Sequence, residues 1–278
     1  MTGDKRNEWR VNDGFDLGYD HRKNVVGIHQ LLVLVTMDCN LKCPYCAHFC
    51  DVNHGGIESE SILFGLKAWS RKLSPKILNI MGGEPLLQND LELLLRSARQ
   101  FYPEADIWLT TNGTLLKNQD RSFFDSVKEA QTEIHVSDHT QTDAQQREID
   151  ESLRQMEEGI TIYRRNNYSN WYKTYEYDES GSPCPSWSDN AGTAWANCTL
   201  RRRCTTLIGD TIYRCAKMAC AEWGVRHGTM RKEYWDFATN VPKLSPNSSP
   251  EDVFNFYFDQ SPLDLCAACG SGTLYPMR

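Results

Sequence analysis

Residues 31–46, LLVLVTMDCNLKCPYC, decide the reading of this chain. The apolar run 31–38 has the length and hydrophobicity of a buried strand, and it leads directly into a loop that holds Cys39, Cys43 and Cys46. Three thiols therefore converge at the carboxyl end of a strand, where open α/β sheets place their ligand sites. A fully ligated [4Fe-4S] cluster takes four cysteines. Three would leave one iron open to the donor atoms of a bound cofactor or substrate. The competing readings are a zinc site, with Cys50 or His48 as fourth ligand, and ordinary buried thiols. Zinc prefers paired Cys-x2-Cys knuckles brought together from two places, and this loop holds one such pair.

Outward from the loop, strand and helix patterns alternate. The spacing predicts helices over 59–72, 89–101, 121–130 and 143–158, and strands over 77–81, 106–111, 133–137 and 160–164. Such alternation implies a parallel sheet with crossover helices. It runs for about five units, too few for a closed eight-stranded barrel. The expected fold class is therefore α/β, a partial, open (β/α)6 TIM-type barrel with a small carboxy-terminal β-hairpin/helix extension. Residues 1–30 are polar, without a clear period, and read as an amino-terminal arm. The core is expected over 31–165. After Arg165 the composition shifts to aromatics, Ser, Asn and Pro, so 166–278 reads as a linker and an extension. Within the extension, 205–208 and 211–214 suit a hairpin turning at Gly209-Asp210, with Cys204 and Cys215 at its two ends.

The formal charge is -7, with 30 Lys and Arg against 37 Asp and Glu. Nothing in that balance attracts a nucleic-acid backbone or an anionic membrane, and the local basic run at Arg201, Arg202 and Arg203 does not reverse it. The longest apolar stretch is far short of a membrane span, and the amino terminus lacks the greasy segment of a secretory signal. A cytoplasmic protein is expected. Eleven cysteines are many for that compartment, where thiols stay reduced, so metal ligation is their natural use.

The cysteine spacing, with Tyr45 before the third cysteine, resembles the Cys-x3-Cys-x-aromatic-Cys loop of the radical S-adenosylmethionine (SAM) superfamily. Met81-Gly82-Gly83-Glu84-Pro85 resembles that family's glycine-rich segment, and Thr110-Thr111-Asn112-Gly113 matches another of its strand ends. The resemblance covers about residues 30–165. It implies a SAM-binding [4Fe-4S] cluster on Cys39, Cys43 and Cys46. Around the SAM it implies Tyr45 beside the adenine, Gly82, Gly83 and Glu84 near the amino group, and cofactor contacts from Asn112, Ser137 and Asp138. Arg164 or Arg165 would reach the SAM carboxylate or the substrate. The implied chemistry is reductive cleavage to a 5'-deoxyadenosyl radical that takes hydrogen from a substrate, with a reduced flavodoxin- or ferredoxin-type protein as electron donor.

Cys198, Cys204, Cys215, Cys266 and Cys269 resemble the auxiliary-cluster extensions known as SPASM and Twitch. The resemblance implies one further [4Fe-4S] cluster on Cys198, Cys215, Cys266 and Cys269, with Cys204 as rival first ligand; a zinc knuckle on Cys204, Cys215, Cys266 and Cys269 is the plainer alternative. Cys50, Cys184 and Cys220 are by default buried or loop thiols, although Cys184, between two prolines, could return a hydrogen atom to a substrate radical. No histidine is assigned a role, and Trp171, Trp187, Trp195, Trp223 and Trp235 suit either a substrate cavity or packing. The expected reaction is a net oxidation, a dehydrogenation, in the biosynthesis of a small molecule or natural product, and the expected partner is a small-molecule or peptide substrate. A radical epimerase, a peptide maturase and a metal-stabilised binding module stand as alternatives, and architecture does not name the substrate.

Overall fold

The computed structural model describes residues 10–12, 15–139, 142–154, 158–165, 170–187, 190–198, 203–259, 261–269 and 273–276. After two short strands, β1 (Arg10–Asn12) and β2 (Phe15–Asp20), comes the long β3 (Val25–Leu34). There follow α1 (Ser59–Trp69), β4 (Leu73–Met81), α2 (Leu91–Phe101), β5 (Asp106–Thr111), α3 (Arg121–Glu129), β6 (Thr132–Ser137), α4 (Asp143–Arg154) and β7 (Ile162–Arg165). β3 to β7 lie side by side and are all parallel. α1, α2 and α3 turn apolar side chains inward, as Leu91, Leu94, Leu95 and Ala98 of α2 do at helical spacing. Those side chains join the strand interiors in one core cluster, where a fully buried Leu or Ile contributes about 2 kcal/mol.

The remaining elements are β8 (Asn170–Lys173), β9 (Tyr175–Tyr177), β10 (Pro183–Pro185), α5 (Ala191–Asn197), β11 (Thr206–Ile208), β12 (Thr211–Tyr213), α6 (Ala216–Arg226), α7 (Lys232–Trp235), β13 (Lys243–Leu244), α8 (Pro250–Phe258) and β14 (Thr273–Pro276). The expected hairpin is β11 and β12, turning at Gly209-Asp210, where Gly209 holds a φ of 58° that favours glycine. The hairpin does not stand apart from the barrel. β11 pairs in parallel with β3, setting Thr206 against Leu32 and Ile208 against Leu34. The parallel strands thus run β11-β3-β4-β5-β6-β7, and the sheet is open, ending at β13 and β7 among the described residues. The sixth parallel strand is supplied by the hairpin and not by a sixth consecutive strand-helix unit.

Two expectations change. The arm expected over 1–30 is strand from Phe15 onward, with β2 pairing antiparallel to the start of β3; residues 1–9 lie outside the described residues. Phe15, Leu17 and Tyr19 alternate with Asp16, Gly18 and Asp20, a pattern of period two that low average hydropathy conceals. The stretch after Arg165, expected as a linker, folds into two small antiparallel pairs, β9 with β10 and β8 with the terminal β14. Of the basic run, Arg201 and Arg202 lie outside the described residues. Among the described residues no helix is long and apolar enough to cross a membrane.

Candidate active site

The strand ends carry the chemistry. The loop that leaves β3 coils through two residues with left-handed backbone, Tyr45 at φ 59° and Phe49 at φ 55°. It is clamped at its base: Asp38 Oδ1 accepts from Gly55 N at 2.8 Å, and Gln88 Nε2 donates to Val35 O at 2.8 Å and Ile57 O at 3.0 Å. The buried Asn53 ties the loop to α6, donating to Cys220 O at 2.9 Å.

Gly82 and Gly83 press directly on this loop. A Cβ on Gly82 would stand 2.4 Å from Thr36 O, and one on Gly83 would stand 2.2 Å from Asp38 O. Gly83 N donates to Thr36 O at 2.8 Å and Glu84 N to Asp38 O at 2.7 Å. The immediate reason for both glycines is therefore backbone packing between β4 and the cysteine loop. His48 Nδ1, held neutral by burial, donates to Gly82 O at 3.0 Å and fixes that carbonyl from the cysteine side.

One cavity of about 500 Å³ opens over these strand ends. Cys39, Cys43, Cys46 and Cys50 line it beside Gly82, Gly83 and Asn112, and Cys198, Cys204, Cys215 and Cys269 line it as well. Inward positions of the strands form the rest of its wall, among them Gln30, Asn79, Trp108, Thr110, His135 and Ser137. No carboxylate is among the lining residues, whereas Arg165, Arg203 and Lys217 are.

Two thiols of the first loop, Cys39 and Cys43, are suited to a metal and unsuited to act as free nucleophiles. Burial pushes Cys39 up to about 11 and Cys43 up to about 12, so each would ionise only against a bound cation. Leu41 N donates to Cys39 Sγ at 3.4 Å, a bond that favours thiolate. Cys46 is lowered, chiefly by a hydrogen bond from Cys50. Among the described residues no three Cys, His, Asp or Glu side chains close around one point, as a single metal ion would require; a four-iron cluster instead takes each thiolate on a separate iron.

The second set assembles from three places. Cys198 caps α5, which packs on the turn Asp264–Ala268 that carries Cys266. Cys204 precedes β11 and Cys215 caps the amino end of α6. Cys215 is pushed down to about 6, first by a hydrogen bond from Cys204 and then by the N–H groups of Met218 and Lys217 and the Lys217 charge. Cys266, raised by burial to about 11, feels Cys215, Cys269 and Cys198 as neighbours. Cys204 likewise feels Cys215 and Cys198 as neighbours; of the five, Cys266 is not in the cavity lining.

Several expected contacts lie elsewhere. Glu84 is fully buried behind the cavity, where it accepts from Thr111 Oγ1 at 2.6 Å, Asn112 N at 2.8 Å and Leu86 N at 3.1 Å. It is a strut between the β4 and β5 loops. Tyr45 is not in the lining; its ring packs 5.2 Å from Tyr177 and 5.5 Å from Tyr175. Alternation along β7 separates its two arginines. Arg165 lines the cavity, while Arg164 pairs with the buried Asp138 at 2.9 Å and with Asp150 at 2.5 Å, so neither Arg164 nor Asp138 faces it. Cys184 is not in the lining either and is held in the β9–β10 ladder opposite Glu176. Trp235 is fully buried with Nε1 donating to Pro183 O at 2.8 Å, and Trp187 is exposed.

Residues that motif reading passes over are Trp108, stacked on His135 at 4.1 Å, the Thr110–Asn79 bond of 2.7 Å, and Lys217. The strand residues were open to discovery by parity: Asn79, Trp108 and His135 occupy inward positions, as do Thr110 of the quoted motif and the expected contact Ser137. Nothing in the sequence marks Lys217.

The sequence model of the Radical SAM superfamily matches residues 33–177. A GTP 3',8-cyclase of Staphylococcus aureus strain JH9 is 36% identical over 106 residues, 36% of this chain and 31% of its own length, and that of strain Newman matches equally. The chain thus spans about a third of the length of these curated relatives. Among solved structures, BtrN in complex with AdoMet and 2-DOIA is similar over 77% of this chain and 87% of its own, at TM-score 0.44 and 14% identity. Streptococcus suis SuiB bound to S-adenosylmethionine is similar over 41% and 26%, at TM-score 0.32 and 19% identity.

Proposed function

The chain belongs to the radical SAM superfamily, and on that premise we propose that it cleaves S-adenosylmethionine reductively and oxidises a small-molecule or peptide substrate by hydrogen abstraction. The observation that carries the oxidative reading is the shared cavity: the three-cysteine loop and four cysteines of the second set line one space of about 500 Å³. When bound, a SAM-binding [4Fe-4S] cluster supplies the 5'-deoxyadenosyl radical, and a second cluster supplies the acceptor for the electron that remains once the substrate has lost a hydrogen atom and a proton. A reduced flavodoxin- or ferredoxin-type protein fits as the source of the first electron.

In this reading Cys39, Cys43 and Cys46 hold the first cluster, and Cys198, Cys215, Cys266 and Cys269 hold the second. The main chain at Gly82 and Gly83, with Asn112, Ser137 and Arg165, would bind SAM; His48 and the buried Glu84 keep those backbone segments in place. Trp108, Thr110 and His135 would receive the substrate on the inner strand wall.

The test is iron and sulfide content, with Mössbauer spectra, of anaerobically reconstituted protein beside the variant with Cys39, Cys43 and Cys46 changed to alanine. About eight irons falling to about four supports two four-iron clusters. About four falling to none removes the oxidative reading. A radical epimerase is the second reading, favoured by Cys50 and Cys204, buried thiols in the cavity lining beyond the proposed ligands. Solvent deuterium in recovered substrate would select it.

A further inference from the structure

Lys217 is a buried lysine, 6% exposed, in the first turn of α6. Its Nζ donates to Ala268 O at 3.2 Å, to Cys269 Sγ at 3.5 Å and to Thr174 O. Three acceptors thus take up the three ammonium protons. Its Nζ lies 5.4 Å from the ring centre of Trp235 and 6.0 Å from that of Tyr175. A lysine held this deeply is costly to bury unless its charge has a partner, and among these acceptors the one able to carry a full negative charge is the Cys269 sulfur. The amino end of α6 adds partial positive charge at Cys215, its capping residue. Beside the first set, Asp51 acts on Cys43 as a like charge, its carboxylate bound by Tyr177 OH at 2.6 Å, and Lys42 Nζ donates to Asp51 O at 3.2 Å.

We propose that Lys217 is a positioning residue that sets the direction of electron flow, its ammonium on Cys269 making the second cluster the easier of the two to reduce. The inference rests on the reading that both cysteine sets hold four-iron clusters. A cation and an N–H···S bond stabilise the more negative, reduced state of a thiolate-ligated cluster and raise its potential. An electron left on the oxidised substrate would then pass to the second cluster in preference to the first. A purely structural lysine, fastening Thr174 to Ala268, would leave the potential unchanged.

The experiment is an EPR-monitored potentiometric titration of the full chain, reconstituted anaerobically, with iron counted for every sample. In the wild type, the signal that persists when Cys39, Cys43 and Cys46 are changed to alanine should appear first on reduction; its appearing last would overturn the proposal. In that triple-alanine background, Lys217→Met should retain about four irons while its midpoint falls by the equivalent of at least a tenfold change in equilibrium constant, about 59 mV for one electron. Lys217→Arg should restore most of the shift. Full iron with an unmoved midpoint in Lys217→Met refutes the proposal. If Lys217→Met fails to load iron, Lys217→Gln, which keeps a donor and loses the charge, is titrated, and an unmoved midpoint there refutes it equally. A triple-alanine protein without iron overturns the two-cluster reading itself.

Discussion

Changing Glu84 to Gln isolates one buried charge and gives a pH signature that can be worked from the structure. Glu84 is fully buried, and burial pushes its carboxyl from the ordinary 4.5 up to about 7, against the pull of its hydrogen bonds from Thr111, Asn112 and Leu86. Because the folded state holds this proton more tightly, the stabilisation is fully present below pH 4.5 and is lost as pH rises toward 7. At 1.36 kcal/mol per pH unit the loss between pH 5 and pH 8 is about 2–3 kcal/mol. Glutamine cannot titrate, so the variant lacks that slope. It carries a constant penalty instead: its amide nitrogen must face one of the donors that the carboxylate now serves, at about 1–3 kcal/mol. Urea unfolding of the metal-free protein at pH 5, 6, 7 and 8 should therefore show the variant least favourable at pH 5, with the gap to wild type closing by about 2–3 kcal/mol by pH 8. A gap that stays constant across that range would show that Glu84 is not the buried strut described here.

Replacing Cys39, Cys43 and Cys46 together with alanine should abolish anaerobic release of 5'-deoxyadenosine from SAM; continued release, followed by chromatography, removes them as cluster ligands. Gly83→Ala would place a Cβ 2.2 Å from Asp38 O, so the seam between β4 and the cysteine loop must open; unfolding free energy should fall by more than about 1 kcal/mol, and an unchanged value contradicts the packing argument. Arg164→Ala leaves the buried Asp138 without its ion pair and should cost about 2 kcal/mol or more, whereas Arg165→Ala should leave the urea midpoint near wild type and raise the KM for SAM or substrate. The reverse ranking would exchange the two roles. Cys184→Ser should leave solvent-deuterium incorporation into substrate unaltered, because Cys184 is outside the cavity lining; lost incorporation would restore it as a hydrogen donor.

The parallel core was legible because its helices and strands repeat with different periods, and the cysteine loop was legible because three thiols of fixed spacing follow a strand. What the sequence concealed has a common cause. Arg164 and Arg165 are equivalent in a motif and opposite in a strand, and only the pairing of β6 with β7 assigns the inward face to Arg165. Glu84 looked like part of a ligand-binding segment, yet its donors come from Thr111 and Asn112, a strand away. Lys217 reaches Cys269 from a helix more than fifty residues earlier, a proximity that no local pattern encodes. The β2–β3 pair was missed because acidic residues alternate with its apolar ones.

The union of β11 with β3 has a consequence for synthesis. Leu32 to Leu34 of β3 acquire their partners from Thr206 to Ile208, which emerge from the ribosome after more than half the chain has been made. At about 5–20 residues per second, that flank of β3 waits on the order of ten seconds or longer for its neighbour. An unpaired strand flank is a template for association with other nascent chains. The cysteine loop immediately downstream emerges in the same interval, well before the hairpin that completes the wall of its cavity. Slowing translation between the two should therefore raise the insoluble fraction, while supplying residues 203–278 as a separate co-expressed segment should lower the aggregation of a truncated first part.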